Sequence, residues 1–129
     1  MFLVASAAFA APVAISSTEA AEIIKNPDTL GAYVRAYYRD TPILADIAWC
    51  ESRMRQYDKD GNLFRGIVVK EDVGVMQINT HYHGEKAKEL NLDLSTLSGN
   101  LAYAKYLYEK EGTKPWISSS PCWAKIAQK

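Results

Sequence analysis

Three stretches with apolar residues at three- and four-residue spacing, and one glycine-rich, β-branched stretch between the second and third, predict an α+β fold that is mainly α-helical with a small β lobe. The helical stretches cover residues 18–39, with a break near Asn26-Pro27, 42–54 and 96–111, and the β-like stretch covers 64–78. A chain of 129 residues, 48% of them hydrophobic, can bury one compact core and is too short for two ordinary domains. The expected division is a lead over residues 1–18 and a single domain over 19–129.

The first charge in the chain is Glu19. Before it, Met1 to Pro12 has the apolar run and the Ala8-Phe9-Ala10 pattern of a secretory signal without the basic start, which fits a truncated signal peptide or an Ala-rich flexible lead. Ser6 and Pro12 interrupt the run, and it is too short for a membrane span. Residues 13–20 have the composition of a linker. A helical pattern broken at Asn26-Pro27 follows, with Leu30, Tyr33, Val34, Tyr37 and Tyr38 on one apolar face and Asp28 as the expected cap.

The next stretch organises the chain. Thr41 is placed to cap it, Pro42 suits the first helical position, and Ile43, Leu44, Ile47, Ala48, Cys50 and Met54 repeat with helical spacing to an end expected near residues 53–56. Glu51, four residues past Ile47 and three past Ala48, falls on this apolar stripe, whereas Asp46, Trp49 and Arg53 share another face. Burial disfavours a carboxylate's charged form and raises its pKa, the condition for proton donation near neutral pH. The alternative is a helix-end glutamate that reaches water or pairs with Arg53.

Asp58-Lys59-Asp60-Gly61-Asn62 is a turn cluster with oxygens at alternate positions. A calcium-binding EF-hand loop would need a glycine where Leu63 stands and a glutamate where Val69 stands, so a plain turn is expected. Phe64 to Val69 and Val73 to Ile78 have the character of short strands. His81 and His83, two residues apart, do not converge on one metal as a four-residue helical spacing would, and neither a metal nor a cofactor is expected. A short polar helix over 84–90 and a capped connection over 91–95 lead into the third helical stretch. There Leu97, Leu101, Ala104 and Tyr108 share a side, and Gly112 is the stop. Lys114-Pro115-Trp116 restarts the chain into a short turn or helix.

Fifteen basic and fifteen acidic residues cancel, which disfavours nucleic acid and anionic lipid as partners. Eight tyrosines and three tryptophans, all beyond residue 32, can fill a core or stack on sugar faces. Cys50 and Cys122 form an even pair, which in an exported chain of this size favours a disulfide; two buried thiols in a cytoplasmic protein are the alternative.

Glu51-Ser52, followed by Gly74-Val75-Met76-Gln77-Ile78-Asn79 and then by Asn100-Leu101-Ala102-Tyr103-Ala104-Lys105-Tyr106-Leu107, resembles the soluble lytic transglycosylase and goose-type lysozyme group of peptidoglycan-cleaving enzymes. The resemblance runs from about residue 40 to about residue 125. It implies a lysozyme-like fold in which Glu51 protonates the glycosidic oxygen between MurNAc and GlcNAc. The same residue would then take the proton of the muramoyl 6-hydroxyl to give 1,6-anhydro-MurNAc ends, with no second carboxylate. It also implies sugar contacts for Ser52, Gln77, Met76 and Asn79, which suits hydroxyl and amide chemistry and the close backbone approach that Gly74 permits. For Gln77 the alternative is an amide that ties the β lobe to the helix.

The family's Ala-Tyr-Asn motif, whose tyrosine bonds the catalytic glutamate, is absent. Tyr103, Tyr106, or Ser118 and its neighbours are the expected substitutes. Asp72 leaves a hydrolytic muramidase open, because a carboxylate across the cleft can activate water. A non-catalytic glycan-binding domain and a metal-dependent amidase or peptidase using the two histidines are the rival classes. The expected partner is the peptidoglycan glycan strand, met by a monomer in a secreted, periplasmic or cell-envelope setting without stable membrane insertion.

Overall fold

The computed structural model describes residues 16–128, and the expected export signal lies almost wholly outside them. The chain forms helices α1 (Ser17–Lys25), α2 (Pro27–Tyr37) and α3 (Pro42–Ser52), then strands β1 (Asp72–Val73) and β2 (Ile78–Asn79). Helices α4 (Thr80–Glu89) and α5 (Leu97–Glu111) follow, then a 3₁₀ segment Lys114–Ser119 and helix α6 (Ser120–Ala127). The mainly helical α+β class expected from sequence is what the chain adopts. No helix among the described residues is long and apolar enough to cross a membrane.

Local chemistry explains the starts of the first five helices. Ser16 and Glu19 form a reciprocal capping box, which starts α1 one residue before the helical pattern expected from residue 18. Asn26, not Asp28, caps α2: its Oδ1 accepts from the Asp28 amide at 2.9 Å. Pro27 sets the reason, since it takes the first helical position and places the cap just before itself. Thr41 holds the cap position of α3 but makes no side-chain bond there, and Pro42 has no N–H to satisfy. Asn79 caps α4 four residues earlier than the expected start, and Thr96 caps α5.

Helix α3 buries Leu44, Ala45, Ile47 and Ala48, with α2, α6 and the 3₁₀ segment packed against it. It stops abruptly at two consecutive left-handed residues, Arg53 (φ 55°) and Met54 (φ 60°). That reversal turns Met54 into the core while the Arg53 guanidinium lies 4.8 Å from the centre of the Trp49 ring.

The β lobe is smaller than the residue types suggested. Phe64 to Val69 forms no strand; its only ladder contact is a bridge between Arg65 and Val73, and Ile67 and Val68 are 89% and 93% exposed. β-branched residues favour strands through packing, and Ile67 and Val68 are left without a surface to pack on. Instead Arg65 closes it as a loop by donating to the Lys70 carbonyl at 3.1 Å. The turn at 58–62 is held by Asp58 Oδ1, which accepts from the amides of Asp60 and Asn62, both at 2.9 Å.

Val73 to Ile78 is likewise a tight antiparallel hairpin, with Val73 opposite Ile78 and Asp72 opposite Asn79. Gly74 (φ 74°) and Gln77 (φ 51°) make the turn, and the Gln77 amide donates to the Gly74 carbonyl at 3.1 Å. Val75 and Met76, at its tip, are buried. A buried turn needs partners for its backbone, and side chains from three distant elements supply them. The Val75 amide donates to Gln56 Oε1 and the Met76 amide to Asn100 Oδ1, each at 2.9 Å. Trp116 Nε1 donates to the Met76 carbonyl at 2.9 Å. Asn100 Nδ2 also reaches the carbonyls of Val73 and Leu94, at 3.0 and 2.9 Å. The hairpin is thereby fixed beside the end of α3.

Candidate functional site

Glu51 is the penultimate residue of α3, half-buried, on the wall of a cleft of about 480 Å³. Asp72 and Asn79 from the two strands, Gln77 from the hairpin turn, His83 from α4 and Lys114 from the 3₁₀ segment line the same cleft. Burial raises the Glu51 pKa; a hydrogen bond from Ser119 opposes that rise and the nearby Asp72 charge adds to it. Its place in the last helical turn acts in the same direction as burial, because the carbonyl end of a helix disfavours a negative charge.

Ser119 Oγ donates to Glu51 Oε1 at 2.7 Å. A neighbour of Ser118 therefore makes the contact for which Tyr103 and Tyr106 were also candidates. Neither tyrosine lines the cleft. Tyr103 is buried, with its hydroxyl 3.0 Å from His83 Nδ1, and the Tyr106 hydroxyl accepts from Lys110 at 3.2 Å. Tyr103 thus stands behind His83, a residue of the cleft wall, and Tyr106 pairs with the last turn of α5.

A covalent bridge between Cys50, next to Glu51, and Cys122, three residues past Ser119, ties their two segments together. Cys50 and Cys122 form a disulfide with Cα atoms 5.9 Å apart, as the even cysteine count suggested. The bridge pins the segment carrying Ser119 to the end of α3. This contact spans 68 positions of sequence, and Ser119 carries no local pattern that marks it.

Ser52 and Met76 do not reach the cleft. Ser52 is fully buried, its hydroxyl donating to the Ala48 carbonyl and accepting from the Arg55 amide, both at 3.1 Å, so it finishes the helix. Met76 is a core side chain whose backbone anchors the hairpin. Gln77 and Asn79 do line the cleft with amides already engaged: Gln77 Nε2 donates to the Gly74 carbonyl and Asn79 Nδ2 to Asp72 Oδ1, both at 3.0 Å, while Asn79 Oδ1 accepts from the Tyr82 amide at 3.1 Å. The second of these bonds fixes the carboxylate that faces the cleft with Glu51.

A larger depression of about 970 Å³ lies on the outer side of α4, lined by Arg65, His81, Lys88 and Asp93 among others. It contains neither Glu51 nor another half-buried acid with a raised pKa, so the smaller cleft is the chemically equipped one. His81 faces the larger depression and His83 the smaller, as two helical residues two apart must. Among the described residues no group of three or more His, Cys, Asp or Glu side chains is arranged to hold a metal ion.

Taken together, the cleft offers a carboxylic acid with elevated proton affinity, a hydroxyl that fixes one of its oxygens, and amides and a hydroxyl-bearing ring, Tyr82, suited to polar, ring-shaped substrates. Gln56 and Asn100 hold this arrangement without lining the cleft, whereas Trp116 both anchors the hairpin and lines it, and only their burial, visible in three dimensions, reveals that role. Comparison of the chain with protein-family models, with curated proteins and with solved structures finds no match.

Proposed function

We propose that this protein cleaves peptidoglycan glycan strands between MurNAc and GlcNAc, with Glu51 as general acid and then general base. The observation that carries the reading is Glu51 itself: a half-buried carboxyl of raised pKa, held by Ser119 and facing a cleft bounded by the Gly74–Asn79 hairpin. The motif resemblance at Glu51-Ser52 and Gly74 to Asn79 supports the same substrate class.

In the proposed cycle the Glu51 proton passes to the glycosidic oxygen as the bond from the anomeric carbon breaks. The resulting carboxylate accepts the proton of the muramoyl 6-hydroxyl, whose oxygen bonds to the anomeric carbon. Glu51 ends protonated, as it began, and water is not consumed. Asp72 favours a second reading, a hydrolytic muramidase, because it faces the same cleft and can orient water.

The decisive experiment digests purified peptidoglycan and identifies the products by mass spectrometry. Anhydro ends support the transglycosylase cycle, and reducing ends support hydrolysis. Glu51→Gln, which keeps the shape and removes the transferable proton, is expected to abolish zymogram clearing; retained clearing would sink the Glu51 mechanism. A wild-type protein that binds glycan strands and releases no product would be a binding module, and activity lost to chelator would favour the amidase class. The disulfide is compatible with the proposed secreted or cell-envelope setting, where oxidising conditions preserve such bridges.

A further inference from the structure

The Ser119 hydroxyl carries one proton and has two acceptors in reach: Glu51 Oε1 at 2.7 Å and the Trp116 carbonyl at 3.1 Å. It can donate to only one at a time. The Trp116 carbonyl also accepts from Trp123 Nε1 at 3.0 Å, so that oxygen is a fixed acceptor within reach of the Ser119 hydroxyl. We propose that Ser119 is a positioning residue whose hydroxyl follows the charge of Glu51, donating to Oε1 of the carboxylate and turning toward the Trp116 carbonyl when Oε1 carries the proton.

The arrangement makes the two Glu51 oxygens unequal. While Ser119 donates to Oε1, a proton on the acid must sit on Oε2, and Oε2 is then the oxygen that gives and takes the proton. When the proton moves to Oε1, it is donated to Ser119 Oγ, which passes its own hydrogen bond on to Trp116, and the acid rests in a hydrogen-bonded chain instead of an unsatisfied state. The geometry survives because the hydroxyl has little freedom to leave: Cys122, three residues on, is bonded to Cys50, the neighbour of Glu51.

The other titratable groups lining the cleft are Asp72 from β1, Tyr82 and His83 from α4, Glu111 from α5 and Lys114 from the 3₁₀ segment; no charged side chain of α2 or α6 lines it. Of these, Asp72 is the one whose charge bears on Glu51, and it raises the same pKa that Ser119 lowers. The role of Ser119 as a servant of catalysis rests on the proposed glycan-cleaving function. Its hydrogen-bond role does not, and the test separates the two.

The test follows the Glu51 side-chain carboxyl by NMR in full-length protein labelled at glutamate carboxyl carbons, with Glu51→Gln used to assign the resonance. Loss of a hydrogen bond to a charged group corresponds to a rise of roughly one pH unit or more in the midpoint. Ser119→Ala is therefore expected to move the Glu51 titration upward, and Ser119→Thr, which restores the hydroxyl, to return it toward wild type. A folded Ser119→Ala protein with an unmoved Glu51 midpoint overturns the proposal. Should Ser119→Ala not fold, Ser119→Cys decides, since a thiol is a weak donor of similar volume. Its midpoint is expected above wild type, and an unchanged value overturns the idea.

On peptidoglycan, the basic limb of the wild-type kcat/KM profile is expected to shift with the same sign in Ser119→Ala, with kcat reduced about tenfold and KM little changed. If the wild type cleaves no glycan, the proposed function fails while the titration still decides the role of Ser119.

Discussion

Reducing the Cys50–Cys122 bridge should destabilise the fold far more than it changes the folded structure. The bridge joins residues 72 positions apart, so it restricts most of the chain when unfolded. In the chain-entropy treatment a loop of this size is worth about 4 kcal/mol. A domain of this length typically has about 5–15 kcal/mol in total, so the reduced form should remain folded but marginal. With a urea dependence of about 1.5 kcal/mol per molar, the unfolding midpoint should fall by about 2–3 M. Urea titration with and without reductant, read by tryptophan fluorescence, measures this, because Trp123 and Trp116 sit in the segment that the bridge ties down. Thiol titration before and after reduction provides the control, with none free before and two after. Coincident unfolding curves for the oxidised and reduced proteins would refute the reasoning, because they would mean that the bridge does not constrain the unfolded chain.

The buried hairpin and the acid give further expectations. Gly74→Ala places a methyl group against the Asn100 amide and 2.7 Å from Gln56 Oε1 at a φ of 74°, so it should cost more than the about 1–2 kcal/mol of a left-handed alanine alone. The same urea titration reports it, and a neutral result would refute the tight packing. Asn100→Leu leaves the Met76 amide and the Val73 and Leu94 carbonyls without their partner and should destabilise by at least about 3 kcal/mol, measured by thermal or urea unfolding. Glu51 has a folded-state pKa above its ordinary 4.5, so the native state holds its proton more tightly than the unfolded chain does. Its favourable contribution is complete below about pH 4.5 and is lost as pH rises through the folded value. Glu51→Gln should consequently be more stable than wild type at neutral pH, with the difference shrinking toward pH 4; a stability gap that is flat with pH would contradict this.

How much of this was legible in the sequence depended on whether the signal was local. The apolar period of residues 42–54 and 96–111 placed α3 and α5 within one or two residues, and the position of Glu51 on the apolar stripe marked it as a half-buried acid. The break at Asn26-Pro27 was visible as well, although the cap was assigned two residues too late. The β lobe was over-read because residue types were taken for strand partners: Ile67 and Val68 have strand propensity and nothing to pair with. Val75 and Met76 looked like strand residues because they are buried, yet they occupy a turn whose backbone is satisfied by Gln56, Asn100 and Trp116. No window of sequence joins those residues. The same distance hid Ser119, while the serines around it drew attention to the right segment.

These long-range contacts share a destination. Residues 50 and 122, 51 and 119, 76 and 116, and 76 and 100 all meet within one region, so the environment of Glu51 forms only when the last third of the chain has closed on α3. In the unfolded chain Glu51 is an ordinary exposed carboxyl; its raised proton affinity is created by folding, and by linkage folding at neutral pH works against it. A domain with one small core has little stability to set against such a group. A covalent bridge one residue from the acid supplies stability from the unfolded state without adding any polar partner that would lower the acid's pKa. Ser119 is the exception, a single donor that lowers it, and its second acceptor at Trp116 lets that donor withdraw. The bridge and the withdrawing hydroxyl thus solve opposite halves of one problem, holding a carboxyl firmly in place while leaving it an acid.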